Sequence, residues 1–267
     1  MTEIGCMNLI VTTAFDPSPQ MEIAAQDAAQ ILEAPLIQRK RISLAKIRHD
    51  YALHNILVIT RDGPLIHTPN GEFFFHVSMG ELRIKNLADG KHDHMVAAMQ
   101  LRSGMSVLDC TAGLATDALV ASYVTGETGA VTGLESSPII AFMIGWGLQN
   151  FCHPSEQITQ AARRVRLKNA DYAEFLATMP NRCFDIVYFD PMFRHPNYRS
   201  SQLNPMRDLA DNRSIDPQVL REACRIARQR VVVKEGSGSK EFQRLGITDI
   251  IGGKYSRIAF GVIELGG

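Results

Sequence analysis

Residues 107–119 read V-L-D-C-T-A-G-L-A-T-D-A-L, and this stretch constrains the fold of the chain more than any other. Residues 106–110 form a short apolar run containing the Asp109 carboxylate, a pattern suited to a parallel strand buried on both faces. Gly113 supplies a point where backbone can come close to a ligand or adopt a positive φ. From 115 to 123, alanines and apolar residues recur at helical spacing, so the stretch reads strand, tight turn, helix. In an open α/β sheet such a junction lies at the carboxyl ends of the strands, where nucleotides and related cofactors bind.

The turn residues narrow the choice of cofactor. A dinucleotide site requires G-x-G-x-x-G, because pyrophosphate packs on bare backbone at a helix N-terminus. Here Gly113 is the one glycine between Asp109 and Asp117, and no Lys follows as in a phosphate-binding P-loop. Two carboxylates flanking the turn repel pyrophosphate and suit a cofactor with a cationic or hydroxyl-rich end. S-adenosylmethionine has both, an ammonium and a sulfonium at one end and a ribose at the other. The stretch looks like the first motif of a class I methyltransferase, although an ordinary βα turn accounts for the same residues taken alone.

A chain of 267 residues with 45% hydrophobic and 21% charged residues has a sizeable core: one large α/β domain, or a moderate one with an appendage. Lys+Arg and Asp+Glu both number 28, so overall charge does not decide for or against an anionic partner, and distribution must. The five cysteines form no C-x-x-C pair, and several sit in apolar runs, as reduced core thiols do. The expected setting is cytoplasmic and soluble: no signal-like segment opens the chain, and the apolar residues 139–148 suit a buried helix face rather than a membrane span.

Residues 1–90 read as a small α/β domain of mixed strands. It would hold a strand at 8–13, an alanine-rich helix near 21–32, a second helix near 43–51, a strand at 56–60, and a hairpin around Pro69-Asn70-Gly71. The run Arg39-Lys40-Arg41 could contact phosphate or be a solvated basic turn. Residues 91–267 read as the larger domain, entered through helices at 82–87 and 94–101. His92-Asp93-His94 lacks a third ligand at sensible spacing and reads as a helix N-terminus, so no metal is expected. Strands are then expected at 106–109, 130–135, 165–169, 184–189 and 230–234, separated by helices, with a final strand pair at 247–251 and 256–265. The fold class is α/β, with a Rossmann-like sheet.

Acidic residues recur at the ends of successive strands. Glu135 follows V-T-G-L and could accept from both hydroxyls of a ribose, or cap the helix after Ser136 and Ser137. Asp171, in N-A-D-Y, could accept from an adenine amino group beside the wall of Tyr172, or N-cap the next helix. Asp109 and Asp117 would face the ammonium and hydroxyl end of the cofactor. The fourth strand ends in Asp190-Pro191-Met192-Phe193, similar to the [DNS]-P-P-[YF] motif of methyltransferases acting on exocyclic or amide nitrogen. Such nitrogens have delocalised lone pairs. A carboxylate and a backbone carbonyl that accept both amino hydrogens let the lone pair localise, and an aromatic ring can hold the base. A plain strand-ending Asp-Pro turn is the competing reading.

Taken together, D-C-T-A-G-L-A-T-D-A, L-E-S-S-P, D-P-M-F and the late V-V-V-K resemble the bacterial small-subunit (16S) ribosomal RNA guanine-N2 methyltransferase family known by the letter J, over roughly residues 106–234. Ala115-Thr116 stands where that family has Gly and often Arg, and Ser136 where it often has Arg; the chain looks like a Gram-positive-type relative. The resemblance implies that Asp109, Thr111, Gly113, Asp117, Glu135, Ser136, Asp171, Tyr172 and Asp190 line the cofactor site. It implies that Asp190, Pro191 and Phe193 carry catalysis, with Met192 beside them at the target site.

An RNA partner has some independent support. Residues 194–230 hold eight arginines against four acids, together with His195 and Tyr198, which can stack on unpaired bases. Arg163, Arg164, Arg166 and Lys168 add a second basic cluster. Residues 194–212 would then form a substrate-binding lid using Arg194, Tyr198, Arg199 and Arg207; a solvated arginine-rich surface is the alternative. The expected activity is methyl transfer to an exocyclic amine of a nucleobase in RNA, guanine N2 of ribosomal RNA first. Methylation of a small molecule or protein amide, and an RNA-binding module with a vestigial cofactor pocket, remain as rivals.

Overall fold

The computed structural model describes residues 8–191, 209–252 and 256–266, apart from the side chain of Ser78. It divides into two compact units, the first holding described residues up to His76 together with Pro138–Gly147.

In that unit β1 (Leu9–Thr13), α1 (Pro19–Ile31), α2 (Leu44–Tyr51), β2 (Asn55–Thr60), β3 (Gly63–Thr68) and β4 (Gly71–Phe73) build a four-stranded sheet in the order β1-β2-β3-β4. β1 and β2 are parallel and the remaining pairs antiparallel, so helices bridge the parallel pair and tight turns the others. Ser18 and Ser43 accept from the amides of Met21 and Lys46, which fixes where the two helices begin. Ile10, Ile47, Leu53, Ile56 and Val58 pack as its core. Gly63 is obligatory in two ways: its φ is +117°, and a Cβ there would run into the Trp146 ring. Within the basic run, Arg39 is structural. It donates to the carbonyls of Ile42 and Thr13 and lies 4.3 Å from the Phe15 ring centre.

The second unit begins with α3 (Ser78–Ala88) and α4 (His94–Met99), so residues 77–90 group with it rather than with the amino-terminal segment. There follow β5 (Ser106–Asp109), α5 (Thr116–Thr125), β6 (Ala130–Glu135), α7 (Glu156–Arg164), β7 (Val165–Asn169), α8 (Tyr172–Thr178) and β8 (Phe184–Phe189), with α6 (Pro138–Asn150), most of which belongs to the first unit, between β6 and α7 in the chain. After the undescribed stretch come α9 (Pro217–Ile226), β9 (Ala227–Gly236), α10 (Glu241–Arg244), β10 (Asp249–Gly252) and β11 (Ile258–Glu264). The sheet order is β10-β11-β9-β8-β5-β6-β7, with β5 to β9 mutually parallel and β11 antiparallel to both neighbours.

The strand pattern follows from burial. Leu108, Leu134, Val187, Phe189, Val231 and Val233 are fully enclosed, which is why these strands read as apolar runs without alternation. α7 has no counterpart among the elements expected from sequence. Its apolar face is only Ile158, Ala161 and Ala162, set in an otherwise polar E-Q-I-T-Q-A-A-R-R, so tertiary burial of that narrow stripe decides the helix. β5 pairs with β6 on one side and β8 on the other, so the chain reverses direction of build at this point. That reversal opens a crevice at the carboxyl ends of β5 and β8, the place where open α/β sheets bind ligands.

Candidate active site

The turn after β5 is built from backbone. Cys110 donates to the Tyr188 carbonyl at 2.8 Å and Ala112 to Leu134 at 2.8 Å, which extends the pairing of β5 beyond its last ladder residue. Gly113 and Ala115 then take left-handed conformations with φ of +49° and +55°. The Gly113 amide donates to Glu135 Oε2 at 3.1 Å, and the Ser137 amide to Oε1 at 2.7 Å. Glu135 therefore clasps the β5 turn to the end of its own strand. Burial pushes its carboxyl up, and the backbone amides of Ser137, Gly113 and Ser136 oppose that shift. A Cβ on Gly113 would find only the Thr111 carbonyl, at 3.8 Å, so the space over the turn is open.

Next along the sheet edge, Asn169 donates to the carbonyls of Glu135 and Ser136 at 2.8 and 3.1 Å. Asp171 caps α8 by accepting from Ala173 and Glu174 through Oδ1, while Oδ2 pairs with Arg213. The Arg213 guanidinium lies 5.6 Å from the centre of the Tyr172 ring. The capping reading of Asp171 is thus realised, and its outward oxygen faces an arginine.

At the end of β8 the Asp190 amide donates to Thr111 Oγ1 at 2.6 Å. Lys234 Nζ, from β9, lies 2.6 Å from Asp190 Oδ2 and 3.0 Å from Asp117 Oδ2. Tyr188 donates its hydroxyl to the same Asp117 oxygen at 2.7 Å, and Arg83 of α3 pairs with the other. Arg83 also holds Asp93 through Nε and Nη2 at 2.8 and 3.0 Å, while Asp93 caps α4 through Met95 and Val96. Asp117 was expected to face the cofactor; instead both its oxygens are engaged by groups of the protein, because α5 carries it between α3 and β9.

Charge counting accounts for the protonation preferences here. Two cations, Arg83 and Lys234, stand among four carboxylates: Asp93, Asp109, Asp117 and Asp190. Burial alone would raise Asp117, but Lys234 and Arg83 outweigh it and hold it well below the carboxylate range. Asp109 is pushed up by burial and by Asp117. Asp190 is pushed up to about 6, by burial first and by Asp117 against the pull of Lys234. Its side chain keeps 28% of its exposure against 8% for Asp117, so Asp190 is the member of the group that can meet an incoming ligand.

Pro191 lines a cavity with Arg213, Ile215, Glu235, Glu241 and Leu245. Met192, Phe193, Arg194, Tyr198, Arg199 and Arg207, together with His195, lie outside the described residues. Of the other arginines in the 194–230 excess, several hold internal partners. Arg225 pairs with Glu222, Arg228 with Asp185 and Arg230 with Glu264, as Arg213 does with Asp171 and Asp211. In the second basic cluster, Arg163 and Arg164 donate to the carbonyls of Leu148 and Ser122. Those side chains stabilise the fold and weigh little as signs of a phosphate partner.

A protein-family model described as "Putative SAM-dependent methyltransferase" matches residues 70–260. The chain belongs to this family. The uncharacterized protein YpiP of Bacillus subtilis is 32% identical over 96% of this chain and 99% of its own length. Ribosomal RNA small subunit methyltransferase J of Pseudoalteromonas atlantica is 26% identical over 86% of this chain and 89% of its own. The crystal structure of the S-adenosylmethionine-dependent methyltransferase NGO1261 of Neisseria gonorrhoeae shares the fold, with a TM-score of 0.63, 18% identity and coverage of 96% and 95%. The cofactor is therefore S-adenosylmethionine, and the methyltransferase is of class I, related to the J family.

The residues present fit that cofactor. Both Glu135 oxygens accept backbone amides, and a carboxylate has about four acceptor sites, enough to take a hydroxyl donor as well; the open side of Gly113 lets a ligand approach bare backbone. Sequence reasoning did not assign Arg83, Asn169 or Arg213 to the site, and it met Lys234 only as part of V-V-V-K. A lysine at the end of a fully buried valine run was the available signal, since such a charge needs a partner. Among the described residues no group of three His, Cys, Asp or Glu could hold a metal, and no helix is long and apolar enough to cross a membrane.

Proposed function

We propose that this methyltransferase acts on an exocyclic amine of a nucleobase in RNA, with guanine N2 of small-subunit ribosomal RNA as the first candidate. The observation that carries the reading is the tie between Asp190 and Thr111, which sets an acceptor carboxylate at the end of β8 directly beside the β5 turn. Relatives named as ribosomal RNA small subunit methyltransferase J add support, that of Pseudoalteromonas atlantica aligning over 86% of this chain.

S-adenosylmethionine, when bound, supplies an electrophilic methyl on a sulfonium. Glu135 would accept from ribose hydroxyls, and Gly113 would admit the ligand against backbone. Asp171 would reach the adenine amino group once Arg213 releases its outer oxygen. Asp190 and the Pro191 carbonyl would accept the two amino hydrogens of the target, which draws the lone pair out of conjugation and aims it for in-line attack. The N–C bond would form as the methyl–sulfur bond breaks, so that the sulfonium leaves as the neutral thioether of S-adenosylhomocysteine, and one N–H proton of the amine would pass to Asp190. Alignment, rather than a metal or a covalent enzyme adduct, would supply most of the acceleration.

The test is tritiated methyl transfer from S-adenosylmethionine to small-subunit ribosomal RNA and to 30S particles, followed by nucleoside analysis. N2-methylguanosine formed by the wild type, and lost in Asp190→Ala with cofactor binding retained, is the expected result. Label that enters only small molecules or protein in an RNA-free extract would move the substrate to the amide or small-molecule class.

A further inference from the structure

We propose that Lys234 is a positioning residue for methyl transfer: its ammonium, anchored on Asp117, holds the Asp190 carboxylate in place and in its accepting, ionised form. The inference rests on the role given to Asp190 above.

The geometry is specific. Lys234 bridges two carboxylates from different elements, Asp117 on α5 and Asp190 after β8, with one Asp190 oxygen at 2.6 Å. That contact engages Oδ2, and Oδ1 is the oxygen proposed to meet an incoming N–H. The lysine cannot drift, because Asp117 is itself fixed by Tyr188 and by Arg83, and Arg83 is fixed by Asp93 at the start of α4. The line Asp93–Arg83–Asp117–Lys234–Asp190 thus runs from two helices to the target strand through alternating charges.

Among the described residues, the charged groups facing Lys234 bear on the same balance. Asp109 on β5, Asp117 on α5, Asp190 after β8 and Arg83 on α3 surround it, with the Tyr188 hydroxyl between. In that company Asp190 sits at about 6, raised by burial and by Asp117, with Lys234 the principal influence lowering it. Without the ammonium, Asp190 would be protonated through neutral pH and would offer a hydroxyl donor to an amine that needs an acceptor. The lysine's contribution is electrostatic and geometric at once, and it involves no contact with cofactor or substrate.

The test begins with the free protein. Carbon-13 NMR of carboxyl-labelled aspartate, with the Asp190 signal identified by its loss in Asp190→Asn, is followed against pH in wild type, Lys234→Met and Lys234→Arg. The Asp190 midpoint should rise by about 1–3 pH units in Lys234→Met and return towards the wild-type value in Lys234→Arg. An unchanged midpoint in Lys234→Met overturns the proposal. If Lys234→Met does not fold, Lys234→Gln, which keeps an N–H donor and loses the charge while leaving Asp117 in place, is read in the same way.

The second measurement is methyl transfer to small-subunit ribosomal RNA across pH. In Lys234→Met, kcat should fall about 10²-fold, its acid limb should move to higher pH, and calorimetric affinity for S-adenosylhomocysteine should stay within about threefold. A fall in kcat with an unmoved limb would reduce Lys234 to a purely structural part. If the wild type transfers no methyl to RNA while the NMR shift holds, the RNA reading fails and the Lys234–Asp190 coupling stands.

Discussion

The Asp190 amide donates to the Thr111 hydroxyl at 2.6 Å, so the loop that follows β5 and the residue that follows β8 are joined by a hydrogen bond across the crevice between them. The two segments are 79 residues apart in sequence. The turn proposed to hold the cofactor and the strand end proposed to bind the target are thereby held in one register, which is what transfer between two bound molecules requires.

Thr111→Val keeps the shape of the side chain and removes the acceptor. The Asp190 N–H then loses its partner, at a cost of about 1–3 kcal/mol. Methyl transfer should fall about 10–100-fold while affinity for S-adenosylhomocysteine changes little. Equal losses in both would mean that Thr111 serves the cofactor alone.

Glu135→Gln replaces one carboxylate oxygen by an amide group that cannot accept from backbone N–H. One of the two bonds, from Gly113 or Ser137, is lost. Hydrogen bonds to charged groups are worth about 1.5–3 kcal/mol, so cofactor affinity measured by calorimetry should weaken about 10–100-fold. Unaltered affinity would remove Glu135 from the cofactor site.

Asp190 is raised to about 6 in the folded protein, so between about pH 4 and 6 the native state holds a proton that the unfolded state has released. Stability contributed by that proton is present below the ordinary carboxylate range and is lost as pH rises through about 6. The stability difference between Asp190→Asn and wild type should therefore move in favour of the variant by about 1–3 kcal/mol from pH 4 to pH 7, in urea melts. Methyl transfer by the wild type should show the opposite trend and rise through about pH 6, because the ionised form is the acceptor.

Asp93→Ala removes a helix cap and one of two carboxylates held by Arg83, whose side chain is only 21% exposed. Breaking such a pair from one side costs about 3–5 kcal/mol, and Tm should drop by on the order of 10 °C. Stability should also fall with acid in the wild type, since Arg83 outweighs the burial that would raise Asp93 and holds it below the carboxylate range. A folded state that needs Asp93 ionised is lost as pH falls through that lowered value. Asp93→Asn should flatten the acid limb of the stability curve.

Much of this protein was decided locally and could be read along the chain. The apolar runs of β5, β6, β8 and β9 are legible because strands covered on both faces admit no other residues. The turn at Gly113, the caps Asp93 and Asp171, and the carboxylates Glu135 and Asp190 at strand ends were legible because each acts on backbone within a few residues of itself or terminates an element. Which charge meets which was not legible. Arg83 reaches Asp117 across 34 residues and Lys234 reaches it across 117, and both pairings exist only because α3 packs on α5 and β9 lies beside β8. The same holds for Arg213 on Asp171 and for Arg225, Arg228 and Arg230, which the sequence offers as part of a basic surface and the fold pairs with carbonyls and carboxylates. Local periodicity specifies elements and their ends, because it depends on neighbours in the chain. Ion pairing and protonation depend on distance through space and on burial, and those are set only when the sheet order brings distant strands together.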